Sequence, residues 1–276
     1  MKFKIVVDSS ANLLPDYISD SEVGFEVAPL TIRIGDKDFI DNENLDIKQM
    51  LDALSSFKGK ATTSCPSPQS FLEAYNGAEN VICITISSKL SGTFNSAFVA
   101  ATEAKSKVHV VDSKGTSGMM VLLVDKAYEL IKKGLSFEEV SHELDEFQKT
   151  LNLFFVLDSF DNLVRNGRMS KIVAFIASKA SIKPLCVAND GEIKVYKKLR
   201  TMKMATKALV DDMKDLFKDQ DITQRDCVVT CIQGEEEGER VKQMIEETYS
   251  FRSVRLVSHR GLCAFYALPG GIIVSF

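Results

Sequence analysis

The chain has 276 residues, 45% of them apolar and 26% charged, with a net charge of −4 at neutral pH. That length can build a substantial core as one large domain or as two lobes, and the mildly acidic balance carries no basic footprint for nucleic acid. No apolar run reaches the roughly 20 residues that would cross a bilayer, and the opening Met1-Lys2-Phe3-Lys4-Ile5-Val6-Val7-Asp8 is too short in apolar residues for a signal peptide, so it reads as the first strand of a cytoplasmic chain.

Residues 4–7 form a compact strand and 26–30 a second, extended by 31–34 up to a turn at Gly35-Asp36. Residues 46–57 have helical periodicity, with Ile47, Met50, Leu51 and Leu54 on one face. The apolar runs 81–86 and 108–111 have the pattern of strands buried on both faces of a parallel sheet. Between them 91–104, rich in small and apolar residues, is predicted to be a helix packed on that sheet. Helices over 119–132 and 137–150 are separated by Lys133-Gly134, a glycine stop. A strand at 151–156 opens a second half, and a helix follows at 171–180. Strands 182–188 and 192–197 flank Asn189-Asp190-Gly191, a hairpin signal. The helix 201–218, strand 226–232, helix 235–248 and strands 254–257 and 272–276 continue the alternation. The order predicts an α/β protein of two lobes, 1–150 and 151–276, with mainly parallel sheets flanked by helices.

The six cysteines, Cys65, Cys83, Cys186, Cys227, Cys231 and Cys263, include no CxxC pair and have no histidine at metal-ligand spacing. They read as reduced and mostly buried thiols, with Cys65 set apart in a polar loop, and no metal site is predicted.

Strand 4–7 and strand 108–111 each end in Asp-Ser, at Asp8-Ser9 and Asp112-Ser113. The carboxyl ends of parallel strands frame a ligand crevice, so these residues either cap the structure that follows or meet a ligand. The hydroxyl-rich loop Thr62-Thr63-Ser64-Cys65-Pro66-Ser67 precedes one helix, and Ser91-Gly92-Thr93 opens another. A helix start offers unpaired N–H groups to an anion, and Ser91 can equally cap it. His109 falls in a buried strand and His142 on a charged helix; His259 follows a strand at a turn where it could reach a ligand. Walker A, Gly-x-Ser-x-Gly and His-Glu-x-x-His patterns are absent from the sequence.

Across nearly the whole length, a set of segments in one order resembles the DegV family. They are Val7-Asp8-Ser9-Ser10-Ala11-Asn12-Leu13, Thr63-Ser64-Cys65-Pro66-Ser67, Ile86-Ser87-Ser88-Lys89-Leu90-Ser91-Gly92-Thr93 and Val111-Asp112-Ser113-Lys114. Gly167-Arg168-Met169-Ser170-Lys171, Ile182-Lys183-Pro184, Arg200-Thr201 and His259-Arg260-Gly261 complete the set. The resemblance implies a two-lobed DegV-like fold with a ligand tunnel between the lobes. It implies a lipid-binding protein rather than an enzyme, with no cofactor, holding one long-chain fatty acid. For an acid of about C16–C18, each buried methylene contributes about 0.8 kcal/mol.

By the same resemblance Thr63, Ser91 and His259 hold the carboxylate, with Ser64, Gly92 and Thr93 around them. Arg168 and Arg200 are implied to meet a separate fatty acid kinase or its phosphate, in a role in phospholipid metabolism in bacteria; Arg168 has a local alternative as a cap of its turn. The chain departs from the family at Cys65, Arg260 and Cys263, where the family has glutamine, threonine and glycine. These changes bear on the geometry of the two loops. The alternatives are an enzyme for a small phosphorylated or carbonyl substrate, using the same helix start and Asp8, Asp112 or His259, and a lipid sensor or transporter that meets no kinase.

Overall fold

The computed structural model describes residues 1–169, 182–217 and 220–276. In chain order it begins β1 (Phe3–Asp8), β2 (Val23–Ala28), β3 (Thr31–Ile34), β4 (Lys37–Ile40), α1 (Ile47–Ser56), β5 (Thr62–Ser64) and α2 (Pro68–Tyr75). Next come β6 (Asn80–Thr85), α3 (Thr93–Glu103), β7 (Lys107–Asp112), α4 (Gly118–Lys132), α5 (Phe137–Gln148), β8 (Leu153–Val156) and α6 (Asp161–Arg165). The remaining strands are β9 (Lys183–Asn189), β10 (Glu192–Leu199), β11 (Asp226–Cys231), β12 (Ser253–Val257) and β13 (Ile272–Ser275), with helices Met202–Asp212, Glu235–Thr248 and Gly261–Ala267 between them. The helix expected at 171–180 lies outside the described residues.

The strands β2-β1-β6-β7 form a four-stranded sheet that is parallel throughout. Its central strands are buried on both faces, as their continuous apolar runs require. Ile5, Val7, Ile82 and Ile84 face α4, while Val6, Val81 and Cys83 face α2 and α3. The two-residue period of a strand thus divides one run between two cores.

Strand β3 was expected to prolong β2 and instead leaves that sheet. Pro29 has no N–H to offer a ladder, and the Leu30 N–H is taken by the Ser9 hydroxyl at 3.1 Å. From there β3 joins a three-stranded antiparallel sheet, β4-β3-β5, in which Ile32 pairs with Thr63. The loop carrying Thr63 is therefore partly a strand.

The third sheet, ordered β10-β9-β8-β13-β11-β12, has six strands. Parallel pairing occurs there only between β11 and β12, which the helix Glu235–Thr248 connects; every other pairing is antiparallel. Only that pair has the helical crossover that parallel neighbours need. The β9–β10 hairpin turns as expected, with Asp190 at φ 48° and Gly191 at φ 81°.

Helix α4 lies between the four-stranded and six-stranded sheets. Met120–Val124 are buried without interruption, the mark of a helix enclosed on all sides. Gly118 allows the approach: a Cβ there would sit 2.8 Å from Ser275 Oγ and 3.0 Å from Val228 Cβ. Beside it, Asn12 Nδ2 donates to Ser117 Oγ at 2.9 Å, Ser117 Oγ lies 2.9 Å from Thr230 Oγ1, and the Arg260 N–H donates to Asn12 Oδ1 at 2.8 Å. This chain of bonds ties the loop after β1, the start of α4, β11 and the turn before Gly261. No helix among the described residues is long and apolar enough to cross a membrane.

Candidate functional site

The parallel strands β1, β6 and β7 end side by side, and the loops that leave them build one rim. Asp8, fully buried, accepts the Ser10 N–H at 2.9 Å and the Ser10 hydroxyl at 2.5 Å on one oxygen, and the Ile86 N–H at 2.7 Å on the other. Burial pushes its carboxyl up to about 6 even so. Asp112 accepts the Ser88 and Lys114 N–H groups at 3.1 and 2.9 Å. Both aspartates brace the loops, which is the capping role of the two readings.

The β9–β10 hairpin closes over this rim. Ser87 Oγ donates to the Gly191 carbonyl at 2.8 Å, and Lys114 Nζ pairs with Asp190 at 2.5 Å. Beneath lies a cavity of about 90 Å³, part of it open to solvent. Its apolar walls are Leu30 and Ile86 at the rim, Leu153, Phe155 and Leu157 at β8, and Ile273 on β13. Ala188 and Ile193 of the hairpin and Leu262, Cys263 and Ala267 of the helix Gly261–Ala267 also line it, with Leu90 and Leu163.

A group of polar side chains borders the cavity. Thr63 Oγ1 and Tyr266 Oη are 2.8 Å apart. Ser91 Oγ lies 2.9 Å from Thr93 Oγ1, and both Ser91 and Arg168 line the space. Arg168 donates from Nε to the Leu90 carbonyl at 3.1 Å and from Nη1 to the Asn166 carbonyl at 2.5 Å, which holds its guanidinium at the loop that carries Ser91. Burial raises the pKa of the Tyr266 phenol, opposed by Thr63 and the Arg168 charge, so the phenol keeps its proton at neutral pH.

The two hydroxyl loops meet in space: a Cβ on Gly92 would lie 3.6 Å from Cys65 Sγ, and Ser96 of α3 donates to the Pro66 carbonyl at 2.6 Å. Thr63, Ser91 and Arg168 are thus brought together. Ser64 is exposed on β5, Gly92 caps α3, and Thr93 is buried beneath Ser91. Arg200 is exposed at the end of β10, away from the cavity walls.

His259 is not among the residues that line the cavity. Its Nδ1 is 3.1 Å from the Cys231 carbonyl, and burial with the neighbouring Arg260 charge lowers its pKa. The helix that follows brings Tyr266 to the cavity border. Sequence reading passed over that helix, although Leu262 and Tyr266 stand at helical spacing. It also passed over Asp41, which holds the start of the helix. His109 bonds Asp145 at 3.0 Å and His142 is exposed. Of the six cysteines only Cys65 is exposed. No group of three metal-ligating side chains occurs among the described residues.

Over residues 2–267 the chain matches the model for uncharacterised proteins of the DegV family. A DegV domain-containing protein of Streptococcus pyogenes serotype M1 is 36% identical over 282 residues, covering 100% of this chain and 99% of the relative. A DegV family protein of Ruminococcus gnavus, solved with vaccenic acid, superposes with a TM-score of 0.93 at 29% identity, covering 100% of this chain and 99% of that one. The fatty acid kinase B3 protein of Streptococcus pneumoniae, loaded with linoleic acid, gives a TM-score of 0.92 at 32% identity, covering 100% of this chain and 99% of that one. The match along the sequence and the agreement of fold lead to one conclusion: the chain belongs to the DegV family.

Proposed function

We propose that this protein binds one long-chain fatty acid, of about C16–C18, and that burial of its tail supplies most of the affinity at about 0.8 kcal/mol per methylene. The observation that carries the reading is a cavity walled by aliphatic and aromatic side chains and bordered by the hydroxyls of Thr63 and Ser91 beside the Arg168 guanidinium. A carboxylate drawn from water needs compensating donors, and these side chains supply them. Ser64, Gly92 and Thr93 shape the two loops. His259 acts at one remove, anchoring to the Cys231 carbonyl the turn from which the helix Gly261–Ala267 starts.

The two related structures carry vaccenic and linoleic acids, and one of them is named for a fatty acid kinase. On that footing the chain is a cytoplasmic carrier that presents the carboxylate to a separate kinase for acyl-phosphate formation. Arg200, and Arg168 at the cavity border, face that partner or its phosphate. The division between the two lobes falls near residue 150, with the ligand between them.

Native mass spectrometry of the purified protein tests the binding directly. The expected result is a copurified mass of a long-chain acid that organic extraction removes and added acid restores. Thr63→Ala and Ser91→Ala should each weaken binding by roughly 1–3 kcal/mol, the range for a hydrogen bond to a buried charged group. A stripped protein that ignores fatty acids and binds phosphorylated metabolites would overturn the reading.

A further inference from the structure

From the 2.8 Å contact between Thr63 Oγ1 and Tyr266 Oη at the cavity border, we infer that Tyr266 is a positioning residue for the ligand carboxylate, donating to Thr63 so that the threonine hydroxyl points its own proton at the head group. The inference rests on fatty acid binding as proposed above and adds to it a residue outside the Thr63 and Ser91 seat.

The reasoning is one of proton inventory. A threonine hydroxyl has a single proton, and a proton given to Tyr266 is not available to a carboxylate. A phenol is the stronger acid of the two, so the favoured direction is from Tyr266 to Thr63. The Thr63 proton then remains for the ligand. Burial keeps the phenol protonated, as this direction requires. The helix Gly261–Ala267 fixes the ring: Phe265 packs edge-on against it with centroids 4.8 Å apart, and the helix start is held by Asp41. Thr63 is fixed independently, by the pairing of β5 with β3. Two rigid elements therefore set the relation between the hydroxyls.

The test compares a fatty acid with the fatty alcohol of the same chain length, using purified, delipidated protein and isothermal titration or probe displacement. Tyr266→Phe removes one oxygen and leaves the ring. The expected result is about a tenfold loss of affinity for the acid, the scale of one directed hydrogen bond to a charge, with alcohol binding changed less than about twofold. On a Thr63→Val background, Tyr266→Phe should cost the acid nothing further, because the hydroxyl it directs is gone. Equal losses for acid and alcohol, or a full additional loss on the Thr63→Val background, would overturn the inference. Unchanged acid affinity in Tyr266→Phe, with a loss in Thr63→Ala, would overturn it and leave the proposed function standing. Wild-type protein that binds no fatty acid would overturn both.

Discussion

Asp41 and Gly261 stand 220 positions apart and meet at the start of the helix that borders the cavity: the Gly261 N–H donates to Asp41 Oδ1 at 2.7 Å, and the next N–H, of Leu262, donates to Oδ2 at 2.8 Å. One carboxylate thus caps two of the helix's unpaired donors. The approach leaves no room for a side chain, since a Cβ on Gly261 would lie 2.3 Å from Leu45 Cδ2 and 2.7 Å from Asp41 Oδ1. This explains the glycine two residues after His259 without any contact to a ligand.

Asp41→Ala should therefore destabilise the protein by about 1–3 kcal/mol, the cost of leaving buried donors unpaired. Urea unfolding at neutral pH measures it. Asp41→Asn keeps one acceptor oxygen and should lose less. Because the same helix carries Leu262, Cys263 and Tyr266, retention of fatty acid should fall with the loss of the cap.

Asp8 makes stability depend on pH. Burial lifts its carboxyl from 3.8 to about 6 against the pull of three hydrogen bonds, and Asp41 adds to the rise. A carboxyl whose pKa is higher in the folded protein holds its proton more tightly there than in the unfolded chain. Its contribution to stability is complete below pH 3.8 and is lost as pH rises through about 6, by roughly 3 kcal/mol in all. Wild-type and Asp8→Asn unfolding curves at pH 4.5 and 7.5 isolate this contribution. Wild type should be the more favoured of the two at the lower pH, and a constant difference between them would show that Asp8 does not titrate in this range.

The hairpin over the cavity is pinned through Gly191. Its φ of 81° suits glycine, and an added Cβ would lie 2.5 Å from Ser87 Oγ. Gly191→Ala should cost about 1–2 kcal/mol from the left-handed backbone alone, and displacement of the hairpin should speed release of a bound fluorescent fatty acid. Stopped-flow displacement gives the rate; a rate equal to that of wild type would remove the hairpin from the exit path.

Arg168 and Arg200 should separate in their effects. Arg168→Ala removes a guanidinium that lines the cavity beside Ser91, so it should lower fatty acid affinity, by about tenfold for one charged hydrogen bond. Arg200→Ala, at an exposed site, should leave affinity unchanged and reduce acyl-phosphate formation with a cognate kinase. Titration with fatty acid and an assay of the coupled reaction distinguish the two.

Local order was legible in the sequence where neighbours a few residues apart decide it. The Asn189-Asp190-Gly191 turn, the helix Glu235–Thr248 and the doubly buried strand β6 follow from glycine placement and apolar period, whereas β7, expected to be buried on both faces, stands at the sheet edge and is only half-buried. The hydroxyl loops at Thr63 and Ser91 were legible for the same reason, since each lies beside a recognisable helix start. Pairing was not legible. Pro29 marks a break in the ladder, but it does not say where β3 goes next, because that choice depends on the Ser9 hydroxyl that takes the Leu30 N–H and on a partner strand some thirty residues on.

The sequence by itself determined the alternation of strands and helices, the two polar loops and the family to which they belong. Only the tertiary structure decided that β13 inserts antiparallel between β8 and β11, and that Tyr266 rather than His259 stands at the cavity border with Thr63. The reason is the range of the interactions. Periodicity, capping and turn chemistry are set by adjacent residues. The border joins positions 63 and 266, whose approach is fixed by the pairing of β5 with β3 and by a carboxylate at position 41.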